Sequence, residues 1–199
     1  DYPAGGIGGN DREGCVCVYN IAGTTLQQIL VATDPQSNSD FGSSVAVGFD
    51  RMVVGSRRWG NFSTGPYNGG GAYLFSRSGI TWNVVTKFTP SNIAEDDNFG
   101  WAATITGDSK IVVSSPGKDT SSGGAGAIYV YNLDLSGQLQ ISNPDTGQTA
   151  LGAGFGEALD SDGDLIVVGA PNTRDVNNTT FIGAAHLFKT DGTYVGRMG

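Results

Sequence analysis

Apolar and polar positions along this chain alternate in short runs that are broken by clusters of Gly, Ser, Asn and Asp. In "FGSSVAVGFDRMVVGSR", which starts at Phe41, an alternating stretch leads through a polar turn into a Val-rich run. That pattern predicts an antiparallel hairpin. The same pattern returns as "FGWAATITGDSKIVVSSP" from Phe99 and "FGEALDSDGDLIVVGAP" from Phe155, so the Phe-Gly pairs stand 58 and 56 residues apart. Each is followed 12 or 13 residues later by Val-Val. The chain is therefore built of repeats, and a repeat of this size must bury its faces against its neighbours.

A third strand follows a longer polar loop in every copy: "GGAYLFS" ending at Ser76, "GAIYVYN" ending at Asn132 and "GAAHLFK" ending at Lys189. "GCVCVYN", ending at Asn20, has the same form, so the sequence opens inside a module. Fourth strands are expected at "TTLQQILVAT" from Thr24, at "ITWNVVTKFTP" from Ile80 and, more weakly, at "GQLQIS" from Gly137; the last module is expected to break off near "GTYVGRMG". Four short antiparallel strands per repeat make a β-propeller blade, slightly longer than the ~40–50 residues of common blades. The predicted fold is all-β, with about three and a half four-stranded blades and a ring left incomplete within this chain. One continuous array is expected over 1–199, with a partial module at 1–33 and modules at about 34–90, 91–142 and 143–199. No stretch holds a period near 3.6, and 32 glycines suit tight turns, so almost no helix is expected.

These residues resemble the FG-GAP repeats of integrin α-subunit propellers and of many bacterial and eukaryotic surface proteins. Phe155-Gly156 with Gly169-Ala170-Pro171 carries the name motif in full, whereas Gly55-Ser56-Arg57 and Ser114-Ser115-Pro116 depart from it. The "AYLF" and "AIYVY" strands and the Thr81-Trp82 opening look like the short-turn variety of the repeat. The resemblance implies a propeller, an extracellular or cell-surface setting, and a ligand face on one rim.

Charged residues make up 15% of the chain and apolar ones 38%, a balance suited to strands buried on both faces. The net charge of −8 disfavours nucleic acid and anionic membrane as partners, because phosphate binding needs clustered Lys and Arg. No apolar run approaches ~20 residues, so no membrane insertion is expected. The sequence has no initiator Met and no signal peptide, which points to a processed or partial chain.

Alternating strand direction puts the first-to-second turns on one rim and the long loops and linkers on the other. On the long-loop rim, Arg57, Arg58 and Trp59 with Phe62 and Tyr67 form a basic and aromatic patch in an acidic chain. Such residues dominate interface hot spots, although a loop folded onto its own blade has the same composition. Sequons at Asn61, Asn177 and Asn178 lie on the same rim and are candidate N-glycan sites. Asp160, Asp162 and Asp164 around Gly163 invite a calcium reading, and the alternative is an Asp-Gly hairpin turn. Integrin repeats carry extra residues at this hairpin that this sequence lacks. No other cofactor is expected. Cys15 and Cys17 stand at the positions of Ala127 and Tyr129; they read as buried thiols or as disulfide partners of another segment or chain.

No nucleophile and base can be paired, and the single histidine, His186, aligns with Tyr73 and Tyr129 in third strands. The chain is not expected to be an enzyme. Three functions remain open: an extracellular recognition or adhesion module with protein partners, a structural subunit of a filament or surface appendage that binds copies of itself, and the accessory propeller of a larger secreted enzyme.

Overall fold

The computed structural model describes residues 13–22, 25–61, 63, 65–119, 123–177 and 179–198. Its strands form one two-stranded and three four-stranded antiparallel sheets. The first pairs β1 (Val16–Tyr19) with β2 (Leu26–Leu30). The second runs β3 (Phe41–Gly48), β4 (Arg51–Ser56), β5 (Gly71–Ser78) and β6 (Thr81–Phe88) in simple up-and-down order. The third comprises β7 (Ala103–Ile105), β8 (Lys110–Ser115), β9 (Ala127–Asn132) and β10 (Leu139–Ser142), and the fourth β11 (Ala158–Asp162), β12 (Leu165–Ala170), β13 (Ala184–Lys189) and β14 (Tyr194–Met198). The sole helical element among the described residues is a 3-10 turn at Gly147–Thr149, and no helix is long and apolar enough to cross a membrane. These sheets are blades of an incomplete β-propeller.

Strand alternation decides which blade each side chain meets. On β4, Met52 and Val54 pack toward the first sheet with Leu30, Ala32, Val16 and Val18. Val53, between them, points the other way and joins Ile111 and Val113 of the third sheet. The step repeats one blade on, where Val112 turns to meet Ile166 and Val168 of the fourth. Continuous Val and Ile runs therefore mark strands covered on both faces.

Phe41, Phe99 and Phe155 are all buried, one in each interblade core. Each ring meets the third-strand ring of its own module edge-on, at 5.1 Å for Phe41–Tyr73, 5.7 Å for Phe99–Tyr129 and 5.7 Å for Phe155–His186. The backbone of each Phe also reaches back to the preceding blade. Its N–H donates to the carbonyl of Glu13 (3.0 Å), Gly69 (2.8 Å) or Ala125 (3.3 Å). The next residue in each case is a glycine with positive φ, Gly14, Gly70 or Gly126, on which a Cβ would collide with the carbonyl oxygen of that same Phe. Only glycine tolerates both the φ and the approach.

Two details differ from the sequence reading. Phe99 and Phe155 precede β7 and β11 instead of opening them, and in β3 the pairing skips from Phe41 to Val45. The cause is the following glycine: Gly42, Gly100 and Gly156 have φ of +91°, +93° and +100°, which breaks the ladder and turns the chain into the blade junction. The segment "GTYVGRMG", near which the last module was expected to break off, carries a fourth strand, β14, which pairs with β13 through one register shift, with Ala185 opposite Met198.

Phe99→Ala should cost about 3–5 kcal/mol of unfolding free energy, the scale for emptying a buried phenylalanine site. A urea midpoint unchanged within error would remove this ring from the interblade core.

Candidate functional site

Loop contacts place the two rims. The β11–β12 turn accepts the Gly107 N–H of the β7–β8 turn on Gly163 O at 2.8 Å, and Thr190 beyond β13 donates to Asp108 Oδ2 at 2.6 Å. Short turns of neighbouring blades thus interlock on one rim. On the other, the loops from second to third strand bond to the linkers between blades: Asp96 N–H to Tyr67 O at 2.9 Å, Asn98 N–H to Asn68 O at 3.1 Å and Asn172 N–H to Ala153 O at 3.0 Å.

In each four-stranded blade one polar side chain of the incoming linker faces the third-strand ring. In the second blade this is Asp34. Tyr73 donates its hydroxyl to Asp34 Oδ1; Oδ2 takes the Trp59 indole N–H at 3.1 Å and pairs with the Lys87 ammonium. Tyr73 and Lys87 are cross-strand partners on β5 and β6. Burial and the bond to Asp34 push the Tyr73 hydroxyl pKa upward, so it stays a neutral donor. In the third blade Asn92 stands at this place. It accepts from the Tyr129 hydroxyl at 3.2 Å and donates to Gln140 at 2.8 Å, and Gln140 is again opposite Tyr129. The fourth blade has Asp145, with His186 Nε2 at 3.6 Å and Arg197 Nε at 3.8 Å, and these two are also cross-strand partners. The third residue beyond the second strand joins the first two sets, Trp59 on Asp34 and Lys118 on Asn92, whereas Thr173, at the same place in the fourth blade, is buried with no hydrogen bond to Asp145 among the described residues. Lys118 is buried and bonds Asn92 O at 2.6 Å and the buried Asp97 carboxylate at 2.8 Å.

Much of the predicted basic and aromatic patch is drawn into this scaffold. Arg57 donates to Asp40 Oδ2 at 3.1 Å and lies 4.4 Å from the Trp101 ring centroid. Trp59 is half-buried, with the Lys87 ammonium 3.1 Å from its ring centroid. Arg58 stays exposed beside Asp40, and Tyr67 is 43% exposed. Phe62 lies outside the described residues. Between the Asp34 linker and the Trp59 loop opens a cleft of about 840 Å³, lined by Asp34, Gln36, Ser37, Trp59, Asn61 and Lys87.

Asn61 and Asn177 are exposed on loops of this rim, and Asn178 lies outside the described residues. The three candidate calcium ligands sit on the opposite rim. Asp160 and Asp162 belong to β11, Asp164 to a two-residue turn with Gly163, and all three are exposed. Among the described residues no three acidic, His or Cys side chains gather as a metal-ligand group. Cys15 and Cys17 form no disulfide among the described residues and are half-buried, less enclosed than the buried-thiol reading expects. Cys17 is on β1 between Val16 and Val18, whose side chains enter the core with the second blade, so it faces away from that blade. Its counterpart Tyr129 is fully buried because a preceding blade covers that face.

Asp34, Asn92 and Asp145 were not legible as functional positions, since no common motif flanks them and one of the three is not an acid. The usable signal is cross-strand register, which sets Lys87, Gln140 and Arg197 opposite Tyr73, Tyr129 and His186. The family model for the FG-GAP repeat matches residues 24–75 and 82–131. No curated protein matches the chain.

Asp162→Asn is expected to melt at the wild-type temperature, in calcium and in excess chelator alike. A chelator-dependent fall in the melting temperature of the wild type would make the β11–β12 hairpin a cation site.

Proposed function

Because the chain belongs to the FG-GAP repeat family, we propose that it is a non-enzymatic propeller module that binds a protein partner in the extracellular space or at the cell surface, using the long-loop rim. FG-GAP repeats suggest modules for protein interaction and are typical of surface proteins, which supports the setting. The observation that carries the contact face is the cleft of about 840 Å³ beside Trp59, within the size range of ligand sites. Trp59 is fixed in place by Asp34 and Lys87, so little side-chain entropy is lost when a partner docks on it. Exposed Arg58 and Tyr67 flank the same loop and supply a charged and an aromatic contact. Arg57 is a scaffold residue in this reading, already committed to Asp40 and Trp101. Asn61 lines this cleft, so the contact requires Asn61 to carry no glycan, whereas a glycan on Asn177 would bound the rim farther along.

A panel of secreted and ectodomain proteins screened by biolayer interferometry tests this. Arg58→Glu and Tyr67→Ala should each weaken the partner found by about tenfold, roughly 1.4 kcal/mol, while Asp162→Asn on the opposite rim should not. Rim variants that bind like wild type would move the contact elsewhere.

Self-assembly is a second reading, favoured by the outer faces of the first and last sheets. Tyr19 and Ile29 are 57% and 37% exposed on one, and Val167 and Leu187 are half-buried on the other. In the interior blades the equivalents of Tyr19, Val167 and Leu187 are buried against a neighbouring sheet, so among the described residues one outer face is the complement of the other. A head-to-tail contact of this kind builds open assemblies. Sedimentation velocity should then show mass rising with concentration, and Leu187→Asp should abolish the rise; a monomer at every concentration removes this reading.

A further inference from the structure

We propose that the second blade carries a carboxylate-binding site at the inner end of the long-loop rim, where Arg57, backed by Arg58 and Trp101, receives an acidic side chain of the protein partner. The site belongs to the rim assigned to the partner, and its occupant rests on that reading. In the third and fourth blades the residue after the second strand is a proline, Pro116 or Pro171. The second blade has Arg57 there, and Trp101 stands where the neighbouring modules have Ser43 and Glu157. First strands of adjacent blades meet at this point, with the Ser43 and Ser44 hydroxyls donating to Gly100 O at 3.2 and 3.0 Å. Arg57 and Trp101 therefore lie at the inner edge of the array.

The Arg57 guanidinium is fixed on two sides and open on a third. Its Nε donates to Asp40 Oδ2 at 3.1 Å, and its plane lies 4.4 Å from the Trp101 ring centroid. Its terminal nitrogens, Nη1 and Nη2, make no hydrogen bond among the described residues, although the side chain is only 31% exposed. Those two nitrogens form the fork that matches both oxygens of a carboxylate. Arg57 borders a cavity of about 430 Å³, whose other walls are Gly14, Asp40, Phe41, Gly42 and Ser43. The two glycines and the serine leave room for a side chain to enter. The commitments that make Arg57 part of the scaffold also hold the fork in place, so little side-chain freedom is lost on binding.

Charge decides what kind of anion fits. Asp40 Oδ2 also faces Arg58 Nε at 3.5 Å, so two guanidiniums share one carboxylate. One positive charge is left over. In the linker hubs, by contrast, each cation has its own acid: Lys87 with Asp34, Lys118 with Asp97 and Arg197 with Asp145. A single excess charge matches a monoanion. A phosphate monoester or a polyanion brings further negative charge, which a chain of net charge −8 repels.

Nitrogen-proton NMR spectra of the arginine Nε–H and tryptophan indole groups test the site, with N-acetyl-aspartyl-amide added at constant ionic strength. The Arg57 and Trp101 signals should move together and saturate, and N-acetyl-asparaginyl-amide should leave them in place. Asp40→Asn, which removes the internal acid, should bind the aspartyl probe at least about threefold tighter. Arg57→Lys, which keeps the charge and loses the fork, should bind it at least about fivefold weaker. Equal shifts with the neutral probe, or shifts spread evenly over all the arginines, overturn the site. Methyl sulfate binding as tightly as the aspartyl probe overturns the carboxylate assignment. A silent titration in a protein whose partner still responds to Arg58→Glu removes this site and keeps the rim as the contact face, whereas saturation supports the site whatever the partner screen returns. The wild-type titration decides even where a variant does not fold.

Discussion

The blades are held together where a phenylalanine N–H reaches the carbonyl next to a glycine of the preceding blade. Side-chain packing alone would let neighbouring sheets slide, because Val and Ile surfaces are nearly interchangeable. A backbone hydrogen bond joined to a glycine that admits no Cβ permits one register. It recurs as Phe41 on Glu13, Phe99 on Gly69 and Phe155 on Ala125. The ring beyond it then fills the gap that the twist between blades opens. Phe and Gly of the motif therefore do different work: the ring supplies buried area, and the glycine after it turns the chain out of the ladder.

This junction also explains the division of labour between the rims. Short turns on one rim touch each other through backbone, as Gly107 does with Gly163, and leave little room for variation. Linkers on the other rim must cross from one blade to the next, and their course is set by a single polar side chain under each crossing. Asp34, Asn92 and Asp145 fill that role with three different partner sets. Since the backbone clamp already fixes blade spacing, these sets are free to diverge, and the long-loop rim is where differences between modules accumulate.

Much of this was legible from the chain itself. Alternation around Val45 and Val53, the Phe-Gly spacing and the recurring third strand defined the blades, because each is a local pattern with a steric cause. Trp59 was harder. Its composition reads as a contact residue, whereas its indole is committed to Asp34 and its ring to Lys87, partners from a linker and from another strand. Arg57 has the same history with Asp40 and Trp101. Such fates depend on which loop lands on which linker, and no short window encodes that. The burial of Cys17 was overestimated for a related reason: its aligned partner Tyr129 owes its environment to a blade that β1 lacks among the described residues.

The Lys118 and Asp97 pair shows how far the rim departs from an ordinary polar surface. Both side chains are buried, and both have further partners in Asn92 O and the Ala94 N–H. An ion pair in this setting adds little net stability, yet losing one member leaves a buried charge, which is the more costly event. It therefore acts as a constraint on loop position more than as a source of cohesion. The same logic applies at Asp34, where three donors converge on one carboxylate, and fails at Asp145, where the converging groups stop short of bonding. Among the described residues the linkers before the second and third blades are therefore held by bonded hubs, whereas the Asp145 hub is placed by packing of the His186 ring against Phe155 more than by hydrogen bonds.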